Sequence, residues 1–260
     1  MNKPLPGLGL FSLEGRRALI TGSSQGIGFA LAGGLAGVGA HVILNGRDTT
    51  RLTAAAARLR DVSATVDELS FDATDQAATD AAVNAYEADN GPIDILINNA
   101  GMQHRSPLED FDPRAFDTLM RTNVYSVFHV SQSVARHMIK RGAGNIINVC
   151  SVQSLLARPG IAPYTASKGA VANLTKGMAT DWAKYGLKIN GLAPGYFKTE
   201  LTAALVADEA FTAWLANRTP AGRWGDVSEL IGATIFLASD AASFVNGHVL
   251  YVDGGITASL

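Results

Sequence analysis

Ala18-Leu19-Ile20-Thr21-Gly22-Ser23-Ser24-Gln25-Gly26-Ile27-Gly28 is an apolar run that breaks into a glycine loop and restarts as a helical pattern. A buried strand followed by such a loop is what a dinucleotide needs. Glycines allow a tight turn and let the main chain approach a pyrophosphate, which then rests on free N–H groups at the helix N-terminus. Working outward, short apolar runs recur at 18–21, 41–45, 65–70, 93–98, 145–150, 188–192 and 248–252. Helical stretches begin between them near Gly26, Thr49, Asp75, Pro113, Pro163 and Asp226. The alternation predicts an α/β fold of Rossmann type: a doubly wound parallel sheet of about seven strands with helices on both faces. No repeat or linker marks a second domain, so residues 1–260 read as one dinucleotide-binding and catalytic domain. The least regular stretch, 195–225, holds one amphipathic segment over 200–217 and reads as an inserted lid above the carboxyl ends of the strands. Gly33, Gly34 and Gly37 inside the first helix suggest close packing on the sheet and cofactor. For Gly33 and Gly37, drift at a tolerated site is an equal alternative.

Composition narrows the function. The chain has 260 residues, enough for one large core, and its net charge of −2 offers no basic field for nucleic acid or an anionic membrane. Cys150 is the only cysteine, so no internal disulfide can form and a reducing, cytoplasmic setting is expected. Lys3 is followed at once by Pro4, Pro6, Gly7 and Gly9, which does not read as a secretory signal, and no apolar run is long enough to span a bilayer. The histidines at 41, 104, 129, 137 and 248 show no ligand spacing, so no metal is implied.

Pro163-Tyr164-Thr165-Ala166-Ser167-Lys168 carries the chemistry. Tyr164 and Lys168, at i and i+4, share one helix face. An ammonium near a phenol favours the phenolate and brings its pKa toward neutral pH. The pair gains specificity from its company: the glycine loop, Asn98-Asn99-Ala100-Gly101, Asn123 and Ser151. In this order and spacing these residues resemble the short-chain dehydrogenase/reductase family, over nearly the whole chain from about residue 11 to 260.

That resemblance implies roles. Tyr164 would be the general acid in ketone reduction and the base in alcohol oxidation. Lys168 would lower its pKa and hold the nicotinamide ribose, Ser151 would bind the substrate oxygen, and Asn123 would anchor a water linking Lys168 to solvent. The cofactor would lie on Gly22, Ser24, Gln25, Gly26, Ile27 and Gly28, along Asn99, Ala100 and Gly101, and against Pro194, Gly195 and Thr199. Asp72 would meet the adenine amino group, although it could equally cap the helix ahead of Asp75. At the end of the second strand stand Asn45, Gly46 and Arg47, where NAD enzymes place an acid. Arg47 can grip a 2′-phosphate and Asn45 can donate beside it, so NADP(H) is expected over NAD(H), against which Asp48 counts slightly. Family members usually form homotetramers, and one is expected here.

Residues 102–106, 152–160 and the lid should wall the substrate pocket. They contribute His104, Arg105, Gln153, Arg158, Tyr196 and Lys198, and cations around a reducing centre suit a keto or hydroxy acid. Arg158 and Lys198 could equally face solvent. Within the family, the stretches 157–164, 193–197, 208–215, 218–225 and 244–248 look like gluconate 5-dehydrogenases, which interconvert D-gluconate and 5-keto-D-gluconate. Two positions depart from that pattern: His104, where an Arg is common, and Leu155, where a Glu is common. Loss of a polar group there would suit a less hydroxylated ketone, so a reductase of a 3-oxoacyl thioester or a cyclic ketone is the alternative. A silent NADPH-binding regulator is a third, disfavoured because all four catalytic positions are intact.

Overall fold

A computed structural model of the chain describes residues 7–260; the stretch containing Lys3, Pro4 and Pro6 lies outside the described residues. The strands are β1 (Arg17–Ile20), β2 (His41–Leu44), β3 (Val66–Glu68), β4 (Ile95–Asn98), β5 (Gly144–Val149), β6 (Leu187–Pro194) and β7 (Val249–Val252). The helices are α1 (Gly26–Ala36), α2 (Thr49–Arg60), α3 (Gln76–Asn90), α4 (Pro113–Met120), α5 (Ser126–Arg141), α6 (Ala162–Trp182), α7 (Ala203–Val206), α8 (Glu209–Arg218) and α9 (Ile231–Ala238). All seven strands are parallel, in the order β3-β2-β1-β4-β5-β6-β7. The expected fold class is the one found.

The strands read as unbroken apolar runs because both faces are covered. Ala18, Ile20, Val42, Leu44, Ile95 and Ile97 pack with Leu31, Leu35 and Leu52 of α1 and α2. Their neighbours Leu19, Ile43 and Leu96 turn the other way, onto Val83, Val130 and Met178 of α3, α5 and α6. The order reverses between β1 and β4, and ligands bind in the crevice at such a switch point.

Several details differ from the sequence reading. Gly34 serves packing against another helix rather than the sheet or cofactor: a Cβ there would stand 2.3 Å from Ile231 of α9. Asn123 lies in a π-helical turn, Arg121–Tyr125, between α4 and α5. The amphipathic segment of the lid is not continuous. It breaks into a 3-10 turn (Glu200–Thr202), α7 and α8, because the Asp208 carboxylate accepts from Phe211 N–H and starts a new helix.

Candidate active site

The carboxyl ends of β1, β2, β4, β5 and β6 open on a cleft of about 730 Å³. At its centre the Thr21 hydroxyl accepts from Asn99 N–H and Ala100 N–H, both at 3.0 Å, tying β4 to the glycine loop. Asn99 Nδ2 donates to the Thr21 and Gly22 carbonyls at 2.9 Å, so its amide holds the loop in shape. Gly22 sits at φ +61°, and a Cβ on it would lie 2.9 Å from Ala100 Cα. No side chain caps α1, so its first N–H groups open toward the cleft. A glycine-rich loop leading into uncapped amides fits a pyrophosphate.

The cleft gathers Gly22, Ser24, Gln25, Gly26 and Ile27 from the loop, Ala100 and Gly101 after β4, and Pro194, Gly195 and Thr199 after β6. Gly28 alone of the expected cofactor positions does not line it; it is buried beneath the Asn99 amide.

At the β2 end, Arg47 is largely exposed and lies 3.4 Å from Asp72. Burial opposes ionisation of Asp72, but bonds from Thr74 and the charge of Arg47 outweigh it and hold the carboxyl below its ordinary range. Asp72 bonds Thr74 in its own turn, while Asp75 caps α3. Asp48 accepts from Arg51 N–H and pairs with the Arg51 guanidinium, so it serves as the cap of α2. Asn45 departs from expectation. Its amide donates to the Leu69 and Phe71 carbonyls, at 2.9 and 3.2 Å, and is committed to the β3 connection rather than free for a phosphate. Arg51 also lines this end. The sequence signal for it was its place one turn after Arg47.

At the other end stand Ser151, Tyr164 and Lys168. Ser151 leaves β5 in an extended conformation and accepts from Gln153 N–H. Lys168 Nζ donates to the Val149 carbonyl at 2.7 Å and lies 5.8 Å from the centre of the Tyr164 ring. Burial pulls the Lys168 pKa down to about 8. Burial also raises the Tyr164 pKa, opposed by a hydrogen bond with Ser151 and by the positive charge of Arg105. The Lys168 ammonium faces the Val149 carbonyl, and desolvation is the largest influence on the phenol. Asn123 is buried. Its carbonyl oxygen accepts from Met102 N–H at 2.8 Å, and its amide donates to Met102 O and Ser167 Oγ at 3.0 Å. Cys150 is buried and its thiol is pushed up to about 11, which suits packing rather than nucleophilic chemistry.

The expected substrate residues separate into two groups. Gln153, Arg158 and Tyr196 meet under the lid: Gln153 Nε2 lies 3.4 Å from Tyr196 Oη, and the Arg158 guanidinium lies over Phe211 at 5.2 Å. Arg105 is close enough for its charge to act on Tyr164 and Tyr196. His104 and Lys198 do not join them. His104 packs edge-on against Phe111, and Lys198 is exposed beside the Phe197–Gly225 bridge, with its charge acting on Asp226. Leu155 is 64% exposed, and like Arg105, Gln153, Arg158 and Tyr196 it is not among the residues that line the cleft.

A family model for the short chain dehydrogenases matches residues 16–210. The chain is 64% identical over 251 residues to a gluconate 5-dehydrogenase of Gluconobacter oxydans, covering 96% of this chain and 98% of that protein. It is 53% identical over 247 residues to a 5-keto-D-gluconate 5-reductase of Escherichia coli, covering 95% and 97%. The crystal structure of a gluconate 5-dehydrogenase from Burkholderia cenocepacia, in complex with NADP and tartrate, superposes with a TM-score of 0.96 at 58% identity, covering 97% of this chain and 99% of that one.

Proposed function

Since the chain belongs to the short-chain dehydrogenase family, we propose that it interconverts D-gluconate and 5-keto-D-gluconate with NADP(H). The observation that carries this reading is the 64% identity to a gluconate 5-dehydrogenase over nearly the full length of both proteins. The match covers 96% of the chain, so it extends over the lid as well as the glycine loop. Arg47 at the β2 end, with Asp48 committed to capping α2, supports NADP over NAD.

Bound nicotinamide supplies or accepts the hydride. Ser151 donates a hydrogen bond to the substrate oxygen and steadies the charge that develops there. Tyr164 gives its phenolic proton to that oxygen as a ketone becomes an alcohol, and takes it back in the other direction. Lys168 presents a buried ammonium beside Tyr164, and the cofactor's ribose hydroxyls are its proposed partners. Asn123 fixes the Met102 backbone and Ser167, one residue from Lys168. Steady-state NADPH oxidation with 5-keto-D-gluconate, a 3-oxoacyl thioester and a neutral cyclic ketone tests the reading. The keto acid should give the highest kcat/KM. A clear preference for either of the others would overturn the choice of substrate.

The proposed unit is a single domain over residues 1–260 that assembles as a cytoplasmic homotetramer. Leu108, Phe116, Tyr125 and Phe128, on and beside α4 and α5, are exposed apolar side chains that suit burial against a second copy. The lone buried cysteine suits a reducing compartment. Sedimentation at micromolar concentration should give a mass near four chains; a stable monomer would refute the assembly.

A further inference from the structure

We propose that Glu200, on the turn that opens the lid, faces the cofactor's pyrophosphate across the first turn of α1 and weakens cofactor binding by like-charge repulsion. The inference rests on the dinucleotide reading above. It adds a residue that opposes the cofactor where the glycine loop attracts it.

Glu200 is remote from α1 in sequence and close to it in space. A Cβ on Gly26, the first residue of α1, would lie 3.3 Å from Glu200 Oε2. Gly26 lines the cleft, and so do Thr199, Leu201 and Thr202 on either side of Glu200. The turn that carries the acid is held in place. Thr199 N–H donates to Thr202 Oγ1 at 3.0 Å, and that hydroxyl donates to the Phe197 carbonyl at 2.7 Å. The Glu200 side chain is exposed, and among the described residues no cation lies within 4.0 Å of its carboxylate, whereas Glu68, Glu87 and Glu229 each pair with an arginine. Its negative charge is therefore not neutralised locally.

The start of α1 draws two anions. Asp48, Asp75, Asp112 and Asp208 cap α2, α3, α4 and α8, but α1 has neither a side-chain cap nor an acid in its first turn. Its free N–H groups and partial positive charge attract the Glu200 carboxylate and a pyrophosphate alike. Both negative groups then belong to one helix end, and they repel each other. Release of spent cofactor limits turnover in many enzymes, and a repelling acid on the lid shortens that step. NADPH and NADH share the pyrophosphate, so Glu200 acts on both, whereas Arg47 at the β2 end reads only the 2′-phosphate.

The test uses the full chain with Glu200→Gln and Glu200→Lys. Fluorescence titration gives the dissociation constants of NADPH and NADH. Competition gives that of 2′-AMP, which carries the 2′-phosphate and no pyrophosphate. Both dinucleotide constants should fall roughly 3- to 30-fold in Glu200→Gln, the scale of one or two water-screened charge contacts removed. They should fall further in Glu200→Lys, where attraction replaces repulsion. The gain should shrink as salt rises, 2′-AMP should bind as in the wild type, and stopped-flow displacement should show NADP leaving more slowly. A damaged lid would weaken binding, so misfolding cannot mimic this result. Unchanged or weaker binding of both dinucleotides, or a gain confined to NADPH, would overturn the role of Glu200. Should the wild type bind neither dinucleotide, the cofactor reading itself fails and this inference with it.

Discussion

Replacing Arg47 by Ala should weaken NADPH far more than NADH. The Arg47 side chain is 75% exposed and its partner Asp72 38%, so its interactions are largely screened. Two unit charges about 4 Å apart interact by about 1 kcal/mol in water and about 4 kcal/mol at an effective dielectric near 20. A hydrogen bond to a charged group is worth about 1.5–3 kcal/mol, and that range fits a half-open site. The pair with Asp72, which must loosen for Arg47 to engage a phosphate, offsets less than about 1 kcal/mol. The net is about 0.5–3 kcal/mol, or roughly 2- to 150-fold in the NADPH dissociation constant. Arg47→Ala also leaves the Asp72 carboxylate, still ionised at pH 7, facing the phosphate, which acts in the same direction. Arg51, already paired with Asp48, should add a smaller increment in the double variant. Fluorescence titration with both cofactors at low and high salt measures this. The NADPH loss should shrink as salt rises, and the NADH constant should change little. An equal loss for NADH and NADPH would show that Arg47 does not read the 2′-phosphate.

Three other outcomes are expected. Tyr164→Phe should lower turnover by about 100- to 10,000-fold, the usual scale for a positioned proton donor, while NADPH titration stays close to wild type; near-native turnover would remove Tyr164 from the mechanism. Lys168 titrates at about 8 in the folded protein, against 10.5 for a lysine free in water. Below pH 8 both folded and unfolded chains carry its charge and the burial penalty is complete. From pH 8 to 10.5 the folded chain loses the proton first, so this residue's contribution to stability rises, by about 1.5 kcal/mol between pH 8 and 9.5. Urea denaturation at both pH values should show that rise in the wild type relative to Lys168→Met; identical pH dependence in the two proteins would contradict it. Gly22→Ala forces a side chain into left-handed backbone against Ala100 and should destabilise the fold by about 2 kcal/mol or more, visible as a Tm lowered by several degrees. An unchanged Tm would mean that the loop relaxes freely.

Much of this protein is written locally. Strand runs such as 18–21 and 41–45 are apolar without alternation because both sheet faces are covered, so the doubly wound fold follows from the pattern. Helix starts sit beside visible signals: Asp48 before α2, Asp75 before α3, and Asp112 with Pro113 at α4. The spacing of Tyr164 and Lys168 places both on one helix face, and Ser151 follows a strand into the same cleft.

What the sequence could not decide is which partner each polar side chain takes. Asn45 is spent on the carbonyls of Leu69 and Phe71, Asp48 turns to its own helix, and Lys168 Nζ bonds the Val149 carbonyl. Lys198 is exposed beside the Phe197–Gly225 bridge, while the loops that carry Arg105 and Arg158 are joined by the bond between Ser106 and Gly160. Periodicity and caps act over a few residues and survive in the sequence. Hydrogen-bond choice and desolvation depend on neighbours brought close through space by the packed sheet and lid, so only the tertiary structure decided them.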